Sequence, residues 1–138
     1  MINDYIKTGK ATIEYRDFAW KTATTESQDA AEASDCALDQ GKFWQYHDTL
    51  FENQHGEDQG AFTRDRLKQI AKDIGLDTSK FNQCLDSNKH TQDVANQTNQ
   101  AIADGFPGTP GFLVNGQKIS YSGYASLKTA IDAALAGK

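Results

Sequence analysis

Both prolines of this chain, Pro107 and Pro110, lie in one stretch, residues 105–116, GFPGTPGFLVNG. Proline has no N–H to give a central strand, so Pro110 must stand at a strand's entrance. Phe112–Val114 is then a short apolar strand. Asn115-Gly116 is a strong hairpin signal, because both residues accept positive φ. A second strand is expected around Lys118–Tyr121. From about Ser27 to Gly105 the pattern is helical and, before Pro107, free of proline. The expected order is helix end, strand, a helical block of about 80 residues, hairpin and closing helix.

Within the block, ESQDAAEASDCALDQG is Ala-rich and stops at Gly41. KFWQYHDTLFENQ sets Phe43, Trp44, His47, Leu50 and Phe51 along one stripe, which predicts a core-facing side. TRDRLKQIAKDIG starts at a Thr63 cap, buries Leu67, Ile70 and Ile74, and stops at Gly75. DTSKFNQCLD brings Phe81, Cys84 and Leu85 together, and HTQDVANQTNQAIADG is polar apart from Val94, Ile102 and some alanines. At the start, Ile2, Tyr5 and Ile6 have helical spacing up to Gly9, as in the last turns of a helix without a visible start cap. ATIEYRDFAW alternates, with Ile13 and Tyr15 on one face and Thr12, Glu14 and Arg16 on the other, which predicts a strand. The final YASLKTAIDAALAGK puts Leu127, Ala130, Ile131, Ala134 and Leu135 on one helical face.

At 138 residues the chain can bury one real core. Its net charge of −5 argues against nucleic acid or an anionic membrane as partner. No run of 18 apolar residues predicts a bilayer span, and MINDYIKTGK has no charged-then-apolar signal pattern. There is no Gly-x-Ser-x-Gly, phosphate loop or dinucleotide fingerprint. His47 reads as a core histidine bonded through one nitrogen. His47, His55 and His90 share no paired spacing with a cysteine, so no metal site is expected. ENQHGEDQG reads as a solvated loop whose acidic residues attract a cation only loosely.

Four stretches together carry a resemblance: YIKTGKATIEYRDF, CALDQGKFWQYHDTLFENQ, FNQCLD and GTPGFLVNGQKI, spanning Tyr5 to Ile119. The chain resembles the C-terminal three-quarters of a DsbA-like thiol–disulfide oxidoreductase. The implied fold is α/β: a thioredoxin-like part, incomplete, formed by 1–22 and 105–138, interrupted by an all-helical insertion over 23–104. The resemblance implies a cis Thr109–Pro110 bond and makes Thr109 and Pro110 substrate-binding residues, the Thr109 backbone pairing with an extended substrate. It implies protein or peptide substrates carrying thiols or disulfides, an extracytoplasmic, periplasm-like home and no cofactor.

That family's chemistry needs a Cys-x-x-Cys at a helix start, where the helix dipole favours the thiolate. This chain has only Cys36 and Cys84, 48 positions apart. The resemblance therefore places the strand and Cys-x-x-Cys upstream of Met1, assigns no catalytic residue here, and predicts a chain inactive alone. The two cysteines lie on apolar helix faces, as two inert buried thiols or as a structural disulfide. The resemblance favours the disulfide, worth roughly 4 kcal/mol on the chain-entropy model. Two other functions remain in view: a non-redox peptide-binding module, and a kappa-type glutathione-dependent isomerase or transferase. Finally, Phe112–Val114 is expected to be buried on both faces. Its second edge is expected to pair with Ile13–Arg16 or with another chain in a strand-paired or swapped homodimer.

Overall fold

The structure is a computed structural model and describes residues 1–21 and 23–137. Thr22 and Lys138, at which the expected boundaries fall, lie outside the described residues. The chain divides into two compact units, Met1–Arg16 with Ile102–Lys138, and Asp17–Ala101.

The larger unit is helical. It holds α1 (Glu26–Leu38), α2 (Phe43–Glu52), α3 (Arg64–Asp73), α4 (Thr78–Asp86) and most of α5 (Thr91–Ala103). Its core is built where these sequences repeat apolar residues every three or four positions: Ala33, Cys36 and Ala37 of α1, Leu67 and Ala71 of α3, Phe81 and Leu85 of α4. Small residues on α1 let the other helices approach it closely. Tyr46 and Phe81, both fully buried, meet with ring centroids 5.4 Å apart. Each such burial stabilises the fold by roughly 1.5–3 kcal/mol. The Tyr46 hydroxyl donates to the Leu67 carbonyl at 2.9 Å, so its polar end is not stranded.

The helix ends follow local chemistry. Asp77 caps α4, its carboxylate accepting from the Lys80 amide at 3.1 Å. Thr63 does sit at the N-cap of α3 but makes no side-chain cap bond. At the other end of α3, Gly75 turns with φ +73°, and the Leu76 amide reaches back to the Ala71 carbonyl at 2.9 Å.

Two long segments are tied to these helices by side chains. The Glu26 carboxylate accepts from the amides of Gly60 (2.9 Å) and Phe62 (3.1 Å). Asp58 accepts from the Ala23 amide at 3.0 Å and from the Thr24 hydroxyl. The amides of Asp17 and Ala19 donate to Gln97 Oε1 (2.8 Å) and Thr98 Oγ1 (3.0 Å) of α5.

The expected stripe of α2 is buried only in part: Leu50 is buried, Phe43 and His47 are half-buried, and Trp44 and Phe51 are exposed. The helix buries Tyr46 and Leu50, while Trp44 is 43% and Phe51 59% exposed. Phe43, Trp44, His47 and Phe51 stack on one another along the outside, with His47 4.7 Å from the Phe51 ring centroid. Both faces of this helix are apolar, so periodicity alone could not choose between them. The acceptor waiting for the Tyr46 hydroxyl decided. His47 is half-buried within this stack, outside the cluster around Tyr46, with Nδ1 3.0 Å from Asp48 Oδ1.

In the smaller unit, Ile2–Ile6 form one π-helical stretch that buries Tyr5. Strands β1 (Phe112–Val114) and β2 (Gln117–Ile119) pair antiparallel, Phe112 opposite Ile119 and Val114 opposite Gln117. Asn115 (φ +50°) and Gly116 (φ +78°) make the turn between them. Helix α6 (Tyr124–Ala136) lays Leu127 and Ile131 against Tyr5, with Phe112, Val114, Ile119 and Leu135 packed around them. The Tyr5 hydroxyl donates to Asp132 Oδ1 at 2.5 Å.

Three expectations change here. Residues 11–20 form no strand among the described residues, and Ile13 and Tyr15 are exposed. Alternation encodes extended backbone, but a strand is a property of a pair, and among the described residues the sheet holds only β1 and β2. Second, β2 ends at Ile119, short of Tyr121. Third, Leu113 is exposed while Phe112 and Val114 are half-buried, so β1 is covered on one face and not on both. Among the described residues β1 pairs only with β2, so Ile13–Arg16 does not close its other edge.

Candidate functional site

In the smaller unit, the loop before β1 exposes Thr109 and Pro110, joined by a cis peptide bond. Its shape is held from three sides. Phe106 lies so close to the backbone of Gly111 that a Cβ there would stand 2.5 Å from Phe106 Cδ1. Lys118 of β2 places its ammonium over the Phe106 ring, 4.8 Å from the centroid. The same ammonium donates to the Gly105 carbonyl. The Phe106–Gly111–Lys118 clasp was not read from the sequence. Its only signal there is the crowding of glycines around the prolines. Chemically, the loop offers exposed residues beside a strand edge that has no partner among the described residues, which suits binding an extended chain.

In the larger unit, Cys36 of α1 and Cys84 of α4 form a disulfide, S–S 2.01 Å with Cα atoms 5.9 Å apart. No described cysteine is free. Cys36 is 1% and Cys84 8% exposed, the latter at the floor of a cleft of about 310 Å³ that Asp39, Lys80 and Lys89 also line. Asp39 Oδ2 stands 3.7 Å from Cys84 Sγ, and receives Lys89 Nζ at 2.7 Å and His90 Nε2 at 2.9 Å. The other ring nitrogen of His90 is 3.5 Å from Asp93 Oδ2.

The surroundings are acidic. Burial pushes the Asp39 carboxyl up, but the hydrogen bonds from Lys89 and His90 outweigh it and hold it below the usual range. Burial pushes His90 down, yet its hydrogen bond to Asp39 and the nearby carboxylates raise it on balance. Asp35 is raised by burial, against the pull of His90, and by its carboxylate neighbours Asp93, Asp39 and Glu32. Asp17 is pushed up to about 7 by burial and by Asp35, against the pull of His90. Glu32 is buried, with Oε1 accepting from Gln28 (3.0 Å) and Thr91 (2.7 Å) and Oε2 accepting nothing among the described residues.

The fold therefore assembles what the spacing of His90 did not suggest. Cys36, Cys84 and His90 have ligand atoms within 4.8 Å of one another. Cys36 comes from α1, Cys84 from α4 and His90 from the turn before α5, so only the folding of α4 against α1 assembles them. No described helix is long and apolar enough to cross a membrane.

The thioredoxin family profile matches residues 1–133. A protein of Rickettsia felis, provisionally named a protein-disulfide oxidoreductase, is 35% identical over 135 residues, covering 95% of this chain and 46% of that protein. A similarly named protein of Rickettsia typhi is 33% identical over 135 residues, covering 95% of this chain and 48% of its own length. A Na(+)/H(+) antiporter NhaA of Herminiimonas arsenicoxydans is 36% identical over 102 residues, 74% of this chain but 16% of that protein. The chain thus spans about half the length of the curated oxidoreductase relatives it matches. No solved structure matches it significantly. A profile match over nearly the whole length and relatives one-third identical over 95% of the chain agree: the chain belongs to the thioredoxin-fold family of thiol–disulfide oxidoreductases.

Proposed function

We propose that these 138 residues are the substrate-holding part of a DsbA-like oxidoreductase that exchanges disulfides on protein substrates, with the attacking thiolate supplied by a Cys-x-x-Cys outside them. The exposure of Thr109 and Pro110 at the mouth of β1 is the observation that carries this reading. An extended substrate laid there pairs with the Thr109 backbone and presents its sulfur to the thiolate. The thiolate attacks one substrate sulfur, the other leaves as a thiolate, and the second cysteine of the pair resolves the mixed disulfide. Cys36 and Cys84 do not form such a Cys-x-x-Cys: they stand 48 positions apart, late in α1 and α4. A structural disulfide also fits an oxidising, extracytoplasmic compartment.

Insulin reduction with a dithiol as electron source tests the proposal. This chain alone is expected to stay at background, and the chain with its native flanking sequence to turn over. The extended protein carrying Cys36→Ser and Cys84→Ser is expected to keep that turnover. Activity of the 138 residues equal to the extended protein, or its loss in the double variant, would place the chemistry at Cys36 and Cys84 and overturn the assignment.

A further inference from the structure

We propose that the Cys36–Cys84 site is a redox-gated zinc site: once a dithiol has reduced the disulfide, Cys36, Cys84 and His90 hold one zinc ion, with Asp39 beside them. The reductant gives two electrons and two protons to the S–S bond and leaves as its own disulfide. Zinc then replaces the two thiol protons, which pass to solvent.

The geometry is already close to what zinc requires. The ion sits about 2.3 Å from thiolate sulfur and about 2.0–2.1 Å from an imidazole nitrogen, so neighbouring ligands of a tetrahedron stand roughly 3.4–3.8 Å apart. The two sulfurs and the His90 ring nitrogen lie within 4.8 Å of one another. Asp39 Oδ2 lies beside two of them, 3.7 Å from Cys84 Sγ and 2.9 Å from His90 Nε2. With the S–S bond open, the two sulfurs are free to separate to this spacing. Rotation about the two Cα–Cβ bonds supplies that without moving α1 or α4.

The orientation of His90 points to a cation and not merely to two thiols. His90 faces Asp93 with Nδ1 (3.5 Å) and the cluster with Nε2. A metal-binding histidine is normally oriented in this way, by a carboxylate on its far nitrogen. Glu32, one helical turn before Cys36, keeps a buried carboxylate oxygen without a hydrogen bond among the described residues. Lys89 works in the opposite direction. It is half-exposed, bound to Asp39 at 2.7 Å, and must swing away when the ion enters. The cleft beside Cys84 gives both reductant and ion a route.

The test uses the full chain, reduced anaerobically with a phosphine that does not compete for metal, then given zinc alone. One zinc per reduced chain is expected and near none per oxidised chain, with zinc raising the melting temperature of the reduced form. Cobalt in its place should give a thiolate charge-transfer band and tetrahedral visible bands. His90→Ala should abolish the one-to-one complex while its oxidised form melts as a folded protein. Asp93→Asn should weaken binding by roughly tenfold or more, and Lys89→Gln should strengthen it. If the reduced chain takes up no more zinc than the Cys36→Ser, Cys84→Ser protein, or if His90→Ala binds equally well, the site does not exist. If the reduced chain loses its helical circular dichroism and zinc fails to restore it, two cysteines of an unfolded chain are binding the metal and the proposal falls.

Discussion

Arg64, at the start of α3, holds Asp29 of α1 through both Nε (2.8 Å) and Nη2 (2.7 Å) on one carboxylate oxygen. Its Nη1 donates to the Leu85 carbonyl near the end of α4 at 2.8 Å, and Nη2 also reaches Asn88 Oδ1 at 2.6 Å. One guanidinium therefore joins three helices, and Asp29 is buried at the contact. Replacing Arg64 with Met should cost about 3 kcal/mol in chemical denaturation, since it strands a buried carboxylate. Arg64→Lys should recover little of this, because an ammonium cannot span the same acceptors. A loss below 1 kcal/mol, on the scale of an ordinary surface pair, would contradict the assignment.

The disulfide closes a loop of 48 residues between α1 and α4. Cys36→Ser with Cys84→Ser should lower stability by roughly 4 kcal/mol if chain entropy governs the effect. Titration of the denatured, unreduced protein should find almost no free thiol. Two thiols per chain would show that the bond does not form.

Asp17 sets a pH dependence. Its folded carboxyl, pushed up to about 7 by burial and by Asp35 of α1 against the pull of His90, starts from an ordinary value of 3.8. Between these values the folded state holds the proton and the unfolded state does not. Stability from this group is therefore complete below pH 3.8 and is lost as pH rises through about 7. The full span amounts to something on the order of 4 kcal/mol. Asp17→Asn should flatten the profile over this window and be the more stable protein at pH 8. Parallel profiles for the two proteins would contradict it.

β1 keeps one edge without a partner among the described residues, and Leu113 beside it is exposed. Such an edge is a template for a second strand. Light scattering at micromolar concentration should find a homodimer that Leu113→Lys converts to monomer. A monomer at all concentrations for the parent chain would show that the edge is closed by other means.

The helical block was readable because each of its helices carries its own punctuation. Gly41 and Gly75 follow α1 and α3, and the apolar residues of α3 and α4 have no competing face. The hairpin was readable for the same reason, since Asn115-Gly116 admits few alternatives. What stayed hidden depends on partners distant in sequence. Tyr46 and Phe43 are equally good candidates for the core until the Leu67 carbonyl is in place. Ile13–Arg16 alternates like a strand, but alternation carries no information about a neighbour. His90 is 54 residues from Cys36 and six from Cys84, and only the folding of α4 against α1 brings the three together.

The tethers from Glu26 and Asp58 bear on how the chain survives a protease. ENQHGEDQG has the composition of a preferred cleavage point, being glycine-rich, polar and at the surface. A protease must nonetheless draw several residues into its cleft in extended form. Here that means releasing the Gly60 and Phe62 amides from one carboxylate and Asp58 from two donors together. Residues 12–14, exposed and outside any helix or strand among the described residues, form the more open stretch. Limited digestion of the folded chain is thus directed to the stretch that looks like a strand and away from the one that looks like a loop.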